Sequence, residues 1–287
     1  VMPFLKEIKI IKMDVMKSMF SYGGWMTITN IVSPLLTYFD RFILGTLVSV
    51  TTVAYYTTPY EIVTKLWVIP ISLVRVLFPE FSKIYKHDRK HTIKLFVNGV
   101  KYVFIILFPV ILLIITFAFE GLNLWLGYEF ASNGFRVLQW LSLGIFINGI
   151  AHIFINLIQG VGRPDLSAKL HLSELPVYLI VVFQLIKHFG IEGAAIAWCL
   201  RVSIDAFILF VMSVRLLSME KTTILKMSGI FILAAMTLYY PFTLNILKVK
   251  ICFLGITWLI FGVITWIFLV SKDDRIWIKK LMGGKET

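Results

Sequence analysis

Long apolar runs recur along this chain, and the polar residues inside them fall at helical spacing. The runs predict eight helices, at roughly 21–46, 52–81, 97–119, 136–160, 172–188, 192–215, 228–247 and 251–270. An α-helix needs about 20 residues to cross a hydrocarbon core of about 30 Å, so each run is a membrane-span candidate. None alternates apolar and polar residues as the strands of a membrane barrel do. Glu174 and Pro176 interrupt the start of the fifth run. Ahead of the first, Phe4, Leu5, Ile8, Ile11, Val15 and Met19 interleave with Lys6, Lys9, Lys12 and Lys17. That pattern predicts an amphipathic helix on the membrane surface over 1–20. The fold class expected is an all-α integral membrane protein.

Composition narrows the field further. The chain has 287 residues, 59% of them hydrophobic and 15% charged; its mean hydropathy is +0.86. A soluble domain is about 25% charged, so a soluble enzyme, a secreted disulfide scaffold and a disordered segment are excluded. Cys199 and Cys252 both fall in apolar runs and read as small core residues. The net charge of +12 comes from basic residues with a sidedness. Nineteen of the 28 Lys and Arg lie before the first run, in the 82–95, 161–171 and 215–227 loops, or in the 272–287 tail. Only Arg136, Lys187, Lys248 and Lys250 fall on the opposite side. Basic loops stay in the cytoplasm, which places both ends of this segment there, facing anionic lipids. The basic residues form no separate domain, so no nucleic acid is expected as a partner. The opposite loops are short, the longest being 120–135, and leave no room for an extramembrane catalytic domain.

Charges inside the spans need a reason, because each costs about 2.5–3.5 kcal/mol at mid-bilayer on insertion scales. Thr27, Asn30, Pro34, Thr37 and Arg41 share one helical face of the first span, beside Asp40. Glu61 and Lys65 are four apart in the second, as are Arg201 and Asp205 in the sixth, and both spacings allow an ion pair. Asn148, His152, Asn156 and Gln159 form a stripe on the fourth, and Glu174 lies in the fifth. Such stripes line either a wet cavity or a polar packing seam. Snorkelling to headgroups equally explains Lys101, Arg75 and Arg41. His87 and His91 have metal-pair spacing but sit in a Lys-rich loop without a third ligand, so no metal site is expected. Pro34, Pro59, Pro70, Pro109 and Pro176 fall inside spans, where kinks suit a rocking transporter. Nucleotide-binding loops, H-E-x-x-H and dinucleotide fingerprints are absent from the sequence.

Several segments carry a resemblance. They are Trp25-Met26-Thr27 with Asn30 and Ser33, then Tyr38 to Gly45 (Tyr-Phe-Asp-Arg-Phe-Ile-Leu-Gly), and Ala54-Tyr55-Tyr56 with Pro59-Tyr60-Glu61. Pro70, Leu77 to Ser82, Gln159 to Pro164 and Gly190 to Ala195 continue the pattern. Over roughly residues 20–215 the chain resembles the Wzx-like polysaccharide flippases of the multidrug/oligosaccharidyl-lipid/polysaccharide (MOP) exporter superfamily. The resemblance implies a six-helix carboxy-terminal transporter lobe over 21–216, two additional helices over 217–271 and a basic tail over 272–287. It also implies an amino-terminal lobe beyond this segment, in keeping with a chain that starts at Val1 rather than Met. The substrate it implies is an undecaprenyl-diphosphate-linked oligosaccharide, moved by alternating access across the bacterial cytoplasmic membrane without catalysis. A polysaccharide polymerase is an expected partner. By matching position the resemblance assigns Asp40, Arg41 and Glu61 to the substrate cavity, and Tyr60 of the Pro59-Tyr60-Glu61 segment is a further cavity candidate. Burial and spacing add Asn30, Lys65, Asn148, His152, Asn156 and Arg201. No cofactor is expected beyond proton or sodium coupling, for which Glu61 and Asp205 are the candidates. A multidrug antiporter, a lipid II flippase and a membrane-embedded polymerase or ligase are the alternatives.

Overall fold

A computed structural model describes residues 13–269 and bears out the all-α membrane architecture. The helices are α1 (Met13–Leu47), α2 (Val50–Thr64), α3 (Val68–Ile84), α4 (Arg89–Thr116), α5 (Ala118–Leu126), α6 (Tyr128–Gly160), α7 (Pro164–Leu217), α8 (Lys221–Tyr239) and α9 (Leu247–Ile264). Among the described residues, six helical stretches are long and apolar enough to cross a membrane. One of them, Val50–Ile84, joins α2 to α3 through a tight 3-10 turn at Lys65–Trp67. Pro70 explains that turn, since it has no N–H for the carbonyl of Leu66 and its ring crowds it. α1 spans 35 residues, about 52 Å of helix, and is also long enough to cross.

α7 is two antiparallel arms. Gly190 adopts φ 60 and ψ −136 and reverses the chain between residues 164–189 and 191–217. Only glycine tolerates that backbone conformation without strain. Taking α7 as two crossings, those six stretches give seven of the eight spans expected; α1, the first, has the length of a span but is not among the six. The fifth starts earlier than predicted, at Pro164 rather than 172, because Pro164 suits a first helical turn and Glu174 and Pro176 are absorbed inside the helix. The predicted 120–135 loop is likewise mostly helical, split between α5 and α6. Residues 1–12 and 270–287, which hold most of the predicted surface helix and the basic tail, lie outside the described residues. The remainder of that predicted segment, 13–20, runs straight into α1.

α6 is the hub, packing on α2, α3, α4, α5 and α7. A helix apolar on every side is buried on every side, and small residues let its neighbours approach. Gly144 lies under the Trp198 ring of α7, and Gly149 under Leu107 of α4. At the end where the basic loops cluster, Arg89 Nε donates to the Leu217 carbonyl at 2.9 Å, and Tyr85 donates to Leu216. These bonds satisfy carbonyls that the end of α7 leaves unpaired. At the opposite end Lys250 Nζ meets both Glu120 oxygens at 2.8 and 3.0 Å, and Arg136 donates to the Phe242 carbonyl. Those contacts, with Phe261 of α9 against Phe108 of α4 at 4.7 Å, hold α8 and α9 to the lobe. Cys199 is buried as expected, whereas Cys252 is exposed on α9, a helix that packs on one side only. Large apolar side chains such as Phe42, Phe207 and Leu259 stand more than half exposed, which suits hydrocarbon and not water.

Candidate polar cavity and its neighbours

Four elements converge on a polar cavity of about 340 Å³. α1 contributes Ser33, Thr37 and Tyr38, and the α2–α3 span contributes Trp67 and Ile71. α6 contributes Asn148 and His152, and α7 contributes His171, Arg201 and Asp205 from its two arms. The polar positions follow from helical spacing: Asn148 and His152 are one turn apart, as are Arg201 and Asp205. The hairpin at Gly190 folds the second α7 arm back so that its stripe faces that of the first.

The ion pairs differ from those the spacing allowed. Arg201 lies 3.8 Å from Glu174 on the other arm, and Asp205 lies 3.4 Å from His171 Nε2. His171 Nδ1 in turn sits 3.1 Å from the Ser33 hydroxyl of α1. Arg201 also lies over the Tyr178 ring at 5.5 Å. His152 stands edge-on to Trp67. The donor atoms of His171, Glu174 and Asp205 all fall within 4.8 Å of one another, the arrangement in this site that could hold a metal ion.

A second cluster adjoins the first through Tyr38. Arg41 is sandwiched between the Tyr38 and Tyr60 rings, at 5.0 and 4.0 Å from their centres. Rings holding a guanidinium this way supply cation–π attraction. Glu61 pairs with Arg41 at 3.6 Å, not with Lys65 one turn away. Asp40 is fully buried; it accepts from the Tyr56 hydroxyl and, at 2.7 Å, from the Arg41 backbone N–H. A buried carboxylate is tolerated only when bonded in this way.

The expected site residues therefore sort by place. Asn148, His152, Arg201 and Asp205 line the cavity, and Asp40, Arg41, Tyr60 and Glu61 form the adjoining cluster. Asn30 and Lys65 are exposed, and Asn156 bonds the His152 carbonyl of its own helix; none of the three lines the cavity. The sequence does not mark His171 and Trp67 as site residues, Tyr38 enters only within a resemblance segment, and Glu174 counts among the charges inside spans without a partner or a role. A signal existed: His171, Glu174 and Tyr178 are spaced three and four apart, on one face. Starting the fifth helix at 172 hid it by leaving His171 in a loop.

The guanidiniums carry the site's chemical capacity. Arg41 Nε and Nη2 and Arg201 Nε are buried without a hydrogen-bond partner. Guanidinium groups held this way are ready donors for phosphate or carboxylate oxygens. Asn148, Ser33 and Thr37 add neutral groups able to bond hydroxyls.

Comparison with known proteins agrees with this geometry. A family model described as polysaccharide biosynthesis protein matches residues 5–133. A Shigella flexneri protein assigned by name to O-antigen transport is 36% identical over 195 residues, covering 67% of this chain and 46% of that protein. An uncharacterized membrane protein of Methanocaldococcus jannaschii is 30% identical over 195 residues, covering 67% of this chain and 38% of its own. A Haloferax volcanii protein assigned by name as a low-salt glycan biosynthesis flippase is 22% identical over 191 residues, covering 66% of this chain and 40% of its own. The matched part of the chain spans less than half the length of each of these relatives. No solved structure matches the chain. The multi-pass helical fold and these matches bear out the resemblance of the chain to the Wzx-like polysaccharide flippases.

Proposed function

We propose that this chain supplies one lobe of a transporter that moves undecaprenyl-diphosphate-linked oligosaccharides from the cytoplasmic to the outer leaflet of a bacterial cytoplasmic membrane. The observation that carries the reading is the pair of buried guanidiniums, Arg41 and Arg201, with unbonded N–H groups beside a polar cavity in an otherwise apolar helix bundle. A diphosphate headgroup cannot enter hydrocarbon unaided. Guanidiniums in a cleft offset its charge bidentately, and Asn148, Thr37 and Ser33 suit sugar hydroxyls. The prenyl tail stays in lipid while the head passes. The relatives named for O-antigen transport and glycan flipping support the same substrate class. The sidedness of the basic residues supports cytoplasmic ends for this segment. The reading is of a carrier and not an enzyme. A second, amino-terminal lobe would close the cleft, and a proton or sodium gradient would drive the cycle, with Glu61 and Asp205 as coupling groups.

The test uses the complete gene product in cells lacking their own repeat-unit flippase. The readout is lipid-linked oligosaccharide reaching the outer leaflet. Wild type restores it. Arg41→Ala and Arg201→Gln, at equal protein level, lower it about 10- to 100-fold, as expected for losing a hydrogen bond to a charged group of about 1.5–3 kcal/mol. Failure of membrane-inserted wild type with several lipid-linked sugars overturns the reading and favours drug antiport.

A further inference from the structure

We infer that His171, Glu174 and Asp205 bind a divalent transition-metal ion, zinc in the first instance, between α1 and the two arms of α7. The inference rests on donor atoms and charge rather than on substrate, but it shares Asp205 and Arg201 with the transport reading, and with the metal bound the coupling role would fall to Glu61 alone.

The carboxylates are the first reason. Both Glu174 oxygens and Asp205 Oδ1 are buried without a hydrogen bond, on side chains only 10% and 6% exposed. Buried anions are paired or coordinate metal. Arg201 only partly serves Glu174, from 3.8 Å. Positive charge is scarce around them as well. Three buried carboxylates, Asp40, Glu174 and Asp205, face two guanidiniums, and one of these, Arg41, is shared with Glu61.

Geometry is the second reason. His171 Nε2 and Asp205 Oδ1 lie 3.4 Å apart, long for a hydrogen bond. That is the spacing of neighbouring donors around a tetrahedral zinc with bonds of about 2.0–2.2 Å, roughly 3.4 Å. The Ser33 hydroxyl holds His171 Nδ1 at 3.1 Å and so turns Nε2 toward the carboxylates. An outer partner on the second ring nitrogen is the usual support of a metal-binding histidine. Arg201 would brace the Glu174 carboxylate in the same way. His171 and Asp205 also line the polar cavity, which supplies an entry path and room for a fourth, non-protein ligand.

The donor set selects the ion. One imidazole nitrogen with two carboxylate oxygens suits zinc and its first-row neighbours, whereas sodium, magnesium and calcium prefer oxygen alone. Bound there, the ion clamps the α7 hairpin shut and, through Ser33, ties it to α1.

The experiment takes the complete gene product in detergent, strips it with EDTA and equilibrates it separately with zinc, manganese or sodium chloride. Metal content by mass spectrometry and the thermal midpoint are then read. The expected result is one zinc per chain after desalting and a midpoint several degrees higher, with sodium giving neither. Asp205→Asn and Glu174→Gln, which keep shape, lose the zinc and its stabilisation, and His171→Ala does the same. Ser33→Ala weakens affinity about 10- to 100-fold. Lys169→Ala, on an exposed side chain, retains both. Wild type with no zinc or manganese above the buffer blank overturns the inference. So does zinc retained in Asp205→Asn and His171→Ala, or stabilisation by sodium alone.

Discussion

The α7 hairpin positions the cavity, and one glycine beside its turn tests that directly. A Cβ built on Gly193 would run into the backbone carbonyl of Leu185 on the other arm and stand 3.0 Å from the Ile186 nitrogen. Comfortable carbon contacts begin near about 3.5 Å. The obstacle is backbone, so no rotamer change relieves it and the arms must separate. Overpacking of this kind costs about 1–3 kcal/mol, and an unyielding backbone places Gly193→Ala toward the upper end. For a chain of this size 1 kcal/mol moves the midpoint by about 2–4 °C, so the expected fall is roughly 4–12 °C. The same separation loosens the pairings between the arms, Glu174 with Arg201 and His171 with Asp205. The assay is thermal unfolding of the purified protein in detergent, with Gly255→Ala as control. Gly255 faces open space within 4 Å in α9, and alanine there removes a helix-propensity cost of up to about 1 kcal/mol, so its midpoint holds or rises. Equal midpoints for Gly193→Ala and wild type would refute the close approach of the two arms.

Two further outcomes follow from buried polar groups. Lys250→Met breaks the pair with Glu120, in which the Lys side chain is 8% exposed; it lowers stability by about 2–4 kcal/mol and frees α9 to proteolysis first, which limited digestion followed by mass spectrometry detects. Tyr56→Phe removes the hydroxyl donor to Asp40 and costs about 1–3 kcal/mol by thermal melt, while adding Asp40→Asn recovers part of that loss because the stranded anion is gone.

Much of this architecture was legible from the sequence because its causes are local. Apolar runs of span length depend only on neighbouring residues along one helix, so the candidate spans could be read in order. Where reading stopped at the local pattern it misplaced the start of α7, because Glu174 and Pro176 look like interruptions when the partners that absorb them are unseen. The polar stripes were legible too, as sets of positions sharing a face. Their partners were not. Spacing allowed Arg201 to meet Asp205 and Glu61 to meet Lys65, yet Arg201 meets Glu174 and Glu61 meets Arg41. A buried charge lowers its energy most by pairing with the charge it directly faces, and that is set by how helices pack. Sequence alone therefore determined that this is a multi-pass helical membrane protein with polar faces on particular helices. Only the tertiary structure decided that His171, Glu174 and Asp205 meet, because they sit on two antiparallel arms some thirty residues apart in the chain, and their contact exists only once Gly190 has folded one arm against the other.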